Sequence, residues 1–261
     1  MKPFTEFPVS AARGIRFVLT DVDDTLTNRG KLSASTYAAL ERLRDAGVSV
    51  VPATAAPAGW CDVMARMWPV GGVIGENGGL YLHRSGDDLR LRFWLTAKER
   101  ARSMARLRLA ADAIIAAVPG ARTAADQSYR QTTWAMSVAP EGTDREGGIA
   151  RVVAGWREAR ANVTVNSLWV LGWYGTFDKL AMAKAMMAEV FLVDIDANRQ
   201  HVLYVGDSLN DQPMFDFFPH SVAVSTISSW LDQLTSHPNW VTRGPGGSGF
   251  VEVADAILSA R

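Results

Sequence analysis

The chain has 261 residues, of which 48% are hydrophobic, and its 27 basic side chains balance 27 acidic ones. This composition is typical of a globular protein and excludes extended disorder, and the length predicts one large domain or two smaller ones. The lack of a basic excess argues against a general nucleic-acid or membrane-surface binder. The single cysteine, Cys61, cannot form an intrachain disulfide, and no run of about 20 apolar residues predicts a membrane span. We therefore expect a cytoplasmic monomer or homodimer that binds neither nucleic acid nor membranes.

The first third of the chain alternates between strand-like and helix-like segments. Apolar runs predict buried strands at residues 15–20, 48–53 and 72–74. Between these strands, Ser33 is placed to cap a helix that ends at Gly47, and residues 59–67 predict a second helix. The alternation indicates a parallel sheet whose strands are joined by right-handed crossovers.

The alternation of strand-like and helix-like segments gives way to a different pattern in the middle of the chain. Residues 89–95 alternate apolar and charged side chains, and a long helix is predicted over residues 97–118. The next predicted elements are a strand, a helix and a strand at residues 131–138, 145–160 and 163–173. Amphipathic strands beside helices predict an α+β layer with an open sheet face. We place this inserted domain at residues 84–173.

The first pattern resumes after the insertion. Helices are predicted over residues 177–191, 210–217 and 249–258, and strands over residues 201–205 and 221–224. Residues 1–83 and 174–261 therefore predict one α/β domain, a Rossmann-like parallel-sheet core that is interrupted by an inserted α+β cap at residues 84–173.

An acidic loop follows the first predicted strand and contains Asp21, Asp23 and Asp24. Ligands bind beyond the carboxyl ends of strands in open parallel sheets. Several carboxylates in one loop repel one another unless a cation neutralises them, and Mg²⁺ prefers oxygen ligands and phosphate substrates. Considered alone, such a loop is more often an acidic turn that caps a helix.

A second acidic loop follows the predicted strand at residues 201–205. Its residue Asp207 offers another oxygen ligand, while Asn210 and Asp211 are placed to support that ligand or to cap the next helix. The hydroxyl of Thr54, which ends another predicted strand, is suited to bind a phosphate oxygen. Lys179 begins the helix after the insertion and can offset the charge of an incoming phosphate.

The order of these motifs resembles that of the haloacid dehalogenase superfamily. The chain carries Asp-x-Asp-x-Thr at residues 21–25, then Thr54, then Lys179, then Gly-Asp-x-x-Asn-Asp at residues 206–211. The position of the insertion is similar to that in subclass IIB, which has a large α/β cap. Within that subclass, the chain looks nearest to sugar-phosphate phosphatases of the mannosyl-3-phosphoglycerate and sucrose-phosphate phosphatase type.

The resemblance implies catalytic roles for four residues. Asp21 resembles the nucleophile that forms an aspartyl-phosphate, and Asp23 resembles the general acid/base that protonates the leaving oxygen and later deprotonates water. Thr54 and Lys179 resemble the pair that holds the phosphate. These roles are chemically coherent, because a carboxylate nucleophile divides hydrolysis into two steps and phosphoryl transfer depends chiefly on positioning and charge compensation.

The same resemblance implies one Mg²⁺ ion and no organic cofactor. The carboxylate of Asp21, the main-chain carbonyl of Asp23 and the carboxylate of Asp207 resemble its ligands. Asn210 and Asp211 are expected to support these ligands from outside the coordination shell.

The expected activity is hydrolysis of a phosphomonoester, most simply a small sugar phosphate or related metabolite. For contacts with the substrate, we single out Glu76 and Asn77 in a polar loop and Arg130 and Trp134 in the cap. One alternative is a phosphomutase, which uses the same groups but returns the phosphoryl group to a sugar. The other is a catalytically silent protein that binds phosphorylated metabolites, against which the intact Asp21, Asp23, Lys179 and Asp207 argue.

The chain departs from the family pattern at three places. Ala55 and Ala56 follow Thr54 where Gly-Arg is usual, Leu180 follows Lys179 where glycine is common, and Asp24 also stands at a glycine position. The missing arginine bears on how the substrate or the cap is held.

Overall fold

The computed structural model describes residues 1–138, 145–166 and 168–261. Its helices are α1 (Val9–Gly14), α2 (Ala34–Asp45), α3 (Ala58–Met67), α4 (Ala97–Ala117), α5 (Arg145–Glu158), α6 (Lys179–Val190), α7 (Gln212–Phe217) and α8 (Gly246–Ser259). Within those ranges, no helix is both long and apolar enough to cross a bilayer.

The strands form several sheets. They are β1 (Lys2–Pro3), β2 (Phe17–Thr20), β3 (Thr27–Asn28), β4 (Lys31–Leu32), β5 (Ser49–Pro52), β6 (Val73–Gly75), β7 (Leu80–Ser85), β8 (Asp88–Phe93), β9 (Ala121–Thr123), β10 (Thr133–Val138), β11 (Asn162–Val165), β12 (Val170–Trp173), β13 (Val202–Gly206), β14 (His220–Ala223) and β15 (Trp240–Val241).

The central sheet has six parallel strands in the order β1-β15-β14-β13-β2-β5. Its middle strands β2 and β13 are short apolar runs buried on both faces, as parallel strands covered by helices should be. One face packs against α2, α3 and α8, and the other against α6 and α7. The predicted α/β core with a parallel sheet is confirmed.

The second sheet is antiparallel, with the order β11-β12-β10-β9. Because side chains alternate across a strand, Met136 and Val170 pack against α4 and α5, while Ala135 and Leu171 lie on the opposite face. That opposite face packs against Ala55 of the central domain. We call the unit of α4, α5 and this sheet the cap, and the remainder the core.

The observed elements refine several predictions. Ser33 caps α2 as predicted, since its side chain accepts a hydrogen bond from the main-chain nitrogen of Thr36. The single strand predicted at residues 163–173 is instead the hairpin β11–β12, which alternation alone does not separate. Residue 84 lies inside β7, and β7 pairs with both β6 and β8. We therefore propose that the cap begins after β8, later than the predicted boundary.

Candidate active site

Three carboxylates meet at the carboxyl ends of β2 and β13. The amide of Asp21 donates to the carbonyl of Val205 at 2.8 Å, which continues the pairing of the two strands and places Asp21 beside the loop that carries Asp207. Carboxylate oxygens of Asp21, Asp207 and Asp211 all lie within 4.8 Å of one another. The structure therefore brings together carboxylates from two segments that are far apart in the sequence.

Asp211 is held by donors on both of its oxygens. Its Oδ2 accepts hydrogen bonds from the amides of Asp207 (2.9 Å) and Ser208 (3.1 Å), and its Oδ1 accepts from the hydroxyl of Tyr204 at 2.6 Å. Ser208 also donates through Oγ to Asn210 Oδ1 at 2.7 Å. Asp211 and Asn210 thus accept hydrogen bonds that hold the loop around Asp207.

Lys179 is the buried cation of the site. It is the first residue of α6, whose N-terminus is capped by the side chain of Asp178. Its Nζ donates to Asp21 Oδ1 at 2.9 Å and to Asp211 Oδ1 at 2.6 Å. Burial by itself would lower the pKa of Lys179, but the charges of these two aspartates raise the pKa above its ordinary value. The side chain therefore stays an ammonium group.

Burial and mutual repulsion oppose the ionised forms of the other two aspartates. Burial raises the pKa of Asp21 to about 7, against the attraction of Lys179 and with help from Asp211 and Asp23. Burial together with Asp21 and Asp211 raises the pKa of Asp207 to about 9, although Thr25 donates to Asp207 Oδ1 at 2.9 Å. One lysine does not balance three clustered carboxylates, and an oxygen-rich anionic cluster of this kind suits a hard divalent cation such as Mg²⁺.

Asp23 lines a cavity of about 320 Å³ whose walls come from both core and cap. Burial raises the pKa of Asp23, although Lys179 partly opposes the shift. The neighbouring Asp24 has a φ of 55°, in the left-handed region that favours glycine and tolerates aspartate. This conformation explains how Asp24 occupies a position where the family commonly has glycine.

Thr54 is fully buried just beyond β5. Its Oγ1 accepts a hydrogen bond from the amide of Ala56 at 3.0 Å, and its carbonyl accepts one from the amide of Asn77 at 3.0 Å. Thr54 therefore joins its own loop to the polar loop that contains Glu76 and Asn77.

Glu76 links the core to the cap. Its Oε1 accepts from the amides of Ala58 (3.1 Å) and Gln131 (2.7 Å). Its Oε2 accepts from the amides and hydroxyls of Thr132 and Thr133, at distances from 2.7 to 3.0 Å. Both oxygens of this fully buried carboxylate are occupied by protein donors. Its observed contacts are therefore structural ones between core and cap.

Asn77 differs from its neighbour. Its side chain is buried, and neither amide atom has a hydrogen-bond partner among the described residues. The following Gly78 has a φ of 99°, and a Cβ there would collide with the carbonyl oxygen of Asp178. The loop thus packs closely on the start of the helix that carries Lys179.

The cap residues Arg130 and Trp134 lie in different places. The buried guanidinium of Arg130 donates to the carbonyl of Ala55 at 2.9 Å and to Asp126 at 3.1 Å, and Arg130 lines the cavity. It reaches the loop where the family's usual arginine is missing. Trp134 packs with the cap helices and donates to Thr123 at 3.3 Å, so the structure does not bring it to the cavity.

Sequence reasoning missed several residues that shape the site. Tyr204 and Thr25 position Asp211 and Asp207 by hydrogen bonds of 2.6 and 2.9 Å. Both residues lie within a few positions of the acidic loops in the sequence, and this closeness could have indicated that they contact the aspartates. Asp126, which holds Arg130, carries no such signal, because its role depends on how the cap packs on the core.

No family model matches the sequence, and no curated protein matches it. Solved structures with similar architecture include a protein of Thermoplasma acidophilum, with a TM-score of 0.70 and 18% identity over 95% of this chain and 99% of that one. A putative HAD/COF-like hydrolase from Plasmodium vivax has a TM-score of 0.70 and 14% identity, over 97% of this chain and 100% of that one. The sucrose-phosphatase of Synechocystis, solved with sucrose and phosphate, has a TM-score of 0.65 and 15% identity, over 95% and 98%.

These similarities extend over nearly the whole chain, including the cap, at identities that establish architecture alone. The parallel core sheet and the inserted unit agree with them. The chain therefore has the fold of the haloacid dehalogenase-like hydrolases.

Proposed function

We propose that this protein is a Mg²⁺-dependent phosphomonoester hydrolase that acts through an aspartyl-phosphate on a small sugar phosphate or related metabolite. The observation that carries the proposal is the placement of Lys179 between Asp21 and Asp211, with Asp207 in the same cluster. An acidic group beside a fixed cation provides a nucleophile together with compensation for the charge of a phosphate.

In the first step, a carboxylate oxygen of Asp21 attacks phosphorus, and the bond between phosphorus and the leaving oxygen breaks. Asp23 gives its proton to that oxygen, so the product leaves as an alcohol. In the second step, water attacks phosphorus and passes a proton to Asp23, while the bond between phosphorus and Asp21 breaks. Inorganic phosphate is released and both aspartates return to their starting states.

The surroundings of Asp23 suit this role. Burial raises its pKa, which favours the protonated carboxyl needed in the first step. Its side chain lines the cavity between core and cap, where a leaving group has room. The proposed proton donor thus borders both the charged cluster, whose Lys179 acts on its pKa, and the cavity that would hold the departing alcohol.

Lys179 and Thr54 are proposed to bind the phosphoryl oxygens. Asp21, Asp207 and the main-chain carbonyl of Asp23 would hold Mg²⁺, which supplies further positive charge when bound. The donors that occupy both oxygens of Asp211 support a positioning role for that residue, as described above. Asn77, whose side-chain amide has no hydrogen-bond partner among the described residues, is retained as a proposed substrate contact.

The proposal is tested by measuring phosphate release from an aryl phosphate with Mg²⁺ and with a chelator. We expect turnover by the unaltered protein with Mg²⁺ only, and none by Asp21→Asn. Asp24→Asn is the matched control, because asparagine tolerates the left-handed backbone there and keeps an acceptor for the amide of Arg29. Metal-independent turnover, or turnover by folded Asp21→Asn, would refute the proposal.

A further inference from the structure

The cavity beside Asp23 has walls from both core and cap. The core contributes Trp60 from α3 and Trp68 from the segment after it, and the cap contributes Leu168 and Trp169 from the segment before β12. A volume of about 320 Å³ lies at the lower end of the range for small-molecule sites and suits one ring with its substituents. Since Asp23 lines this space, a leaving group protonated by Asp23 would occupy it.

The charges around the cavity leave no free cation. Its charged lining residues, among those the structure describes, are Asp23, Asp126 and Arg130. Arg130 is bound to Asp126 at 3.1 Å and to the carbonyl of Ala55, and its side chain is fully buried. Residues 139–144 and 167, which lie outside the description, include no lysine or arginine. A second anionic group on the substrate would therefore meet Asp126 and Asp23. The lining cation, Arg130, is buried and bound to Asp126, although its Nε has no hydrogen-bond partner among the described residues.

The apolar side chains at the cavity indicate what it accepts. Trp60 of the core and Leu168 of the cap line it and remain 58% and 45% exposed. Trp169 packs on the cap-core contact formed by Ala55, Ala135 and Leu171. Apolar and aromatic surfaces left exposed around a concave site are typical of ligand contacts, and aromatic faces stack on flat rings and on the apolar faces of sugars.

We infer that the site selects phosphomonoesters whose leaving group is uncharged and presents a ring or apolar face to Trp60, Trp68 and Trp169, and that it discriminates against leaving groups bearing a second anion. This inference rests on the proposed hydrolase function and specifies its substrate class. Among the substrates that the family resemblance implies, this inference favours neutral sugar phosphates over phosphoglycerate-type compounds, which carry a carboxylate.

The test compares phenyl phosphate with 4-carboxyphenyl phosphate, whose leaving groups share a ring and differ by one carboxylate. We expect kcat/KM to be at least tenfold higher for phenyl phosphate, mainly through KM. The carboxylate is electron-withdrawing and does not make the phenol a poorer leaving group, so a preference for phenyl phosphate reports recognition. Glucose 6-phosphate and 6-phosphogluconate form a second pair with the same expected order.

Two variants examine the walls of the cavity. Leu168→Lys places a cation at the cavity and should reduce the preference for phenyl phosphate at least fivefold, whereas Leu192→Lys, at a side chain 86% exposed and away from the cavity, should leave it unchanged. Trp60→Ala should raise KM for phenyl phosphate at least threefold without raising KM for methyl phosphate, which has no ring.

The outcomes separate this inference from the function on which it rests. If no substrate releases phosphate in a manner that requires Asp21, both proposals fall. If release requires Asp21 but each carboxylate-bearing substrate is used as well as its neutral partner, only the inference is overturned. An unchanged preference in Leu168→Lys, or equal effects of Trp60→Ala on phenyl and methyl phosphate, would also overturn it.

Discussion

Replacement of Glu76 by glutamine tests how the cap is held on the core. In Glu76→Gln, one carboxylate oxygen becomes an NH₂ group that can donate but not accept hydrogen bonds. If that group takes the place of Oε1, the amides of Ala58 and Gln131 lose their acceptor. A hydrogen bond to a charged group contributes roughly 1.5–3 kcal/mol, so two lost bonds should cost about 3–6 kcal/mol.

The free energy of unfolding is measured by urea denaturation, and amide hydrogen exchange locates the effect. We expect faster exchange at Gln131, Thr132 and Thr133, whose amides donate to Glu76. The control Glu158→Gln alters an exposed glutamate on α5 and should change the free energy by less than about 0.5 kcal/mol. A loss below about 1 kcal/mol in Glu76→Gln, with unchanged exchange at these amides, would refute the reasoning.

Two further predictions concern the charges of the site. Lys179→Met removes the ammonium group that donates to Asp21 and Asp211, so kcat for phosphate release should fall about 10²–10³-fold. The control Lys184→Met, at an exposed ion pair with Asp196, should leave kcat unchanged. An unchanged kcat in Lys179→Met would contradict the proposed role of Lys179. Because the pKa of Asp207 is raised, the folded state binds the proton of this carboxyl more tightly than the unfolded state does. The contribution of this proton to the free energy of unfolding is therefore complete below about pH 3.8 and is lost as the pH rises towards about 9. In chelator, the free energy of unfolding should therefore fall less between pH 5 and pH 9 for Asp207→Asn than for the unaltered protein, and equal losses would argue against this effect of burial.

The elements that carry the candidate site could be predicted from local sequence. The aspartates of both acidic loops directly follow short apolar runs, and parallel strands bring such loops to one edge of a sheet. Adjacent strands β2 and β13 do so here, and Lys179 joins them from the start of α6. The core motifs were predictable because each signal lies within a few residues of a strand or helix end.

The contacts between core and cap were not predictable in this way. Glu76 was expected in a polar loop near the substrate. Its carboxylate oxygens instead accept hydrogen bonds from a segment that lies 55 to 57 residues further along the chain. Arg130 bonds to Ala55 across 75 residues, and a local pattern contains no information on which domain faces meet. Trp134 and Trp169 are both aromatic residues of the cap. Trp134 lies in β10 and packs with the cap helices, whereas Trp169 precedes β12 and lines the cavity, a difference that depends on the tertiary structure.

The most direct test of the central claim is to trap the phosphoryl group on the protein. An aryl phosphate is mixed with the protein and Mg²⁺, and the reaction is quenched in acid. The protein is then digested, and the masses of its peptides are measured by mass spectrometry. We predict a base-labile phosphoryl group on the peptide that contains Asp21, present with Mg²⁺ and lost in Asp21→Asn. Turnover with no such adduct under rapid quenching, or an adduct on another residue that persists in Asp21→Asn, would contradict the account.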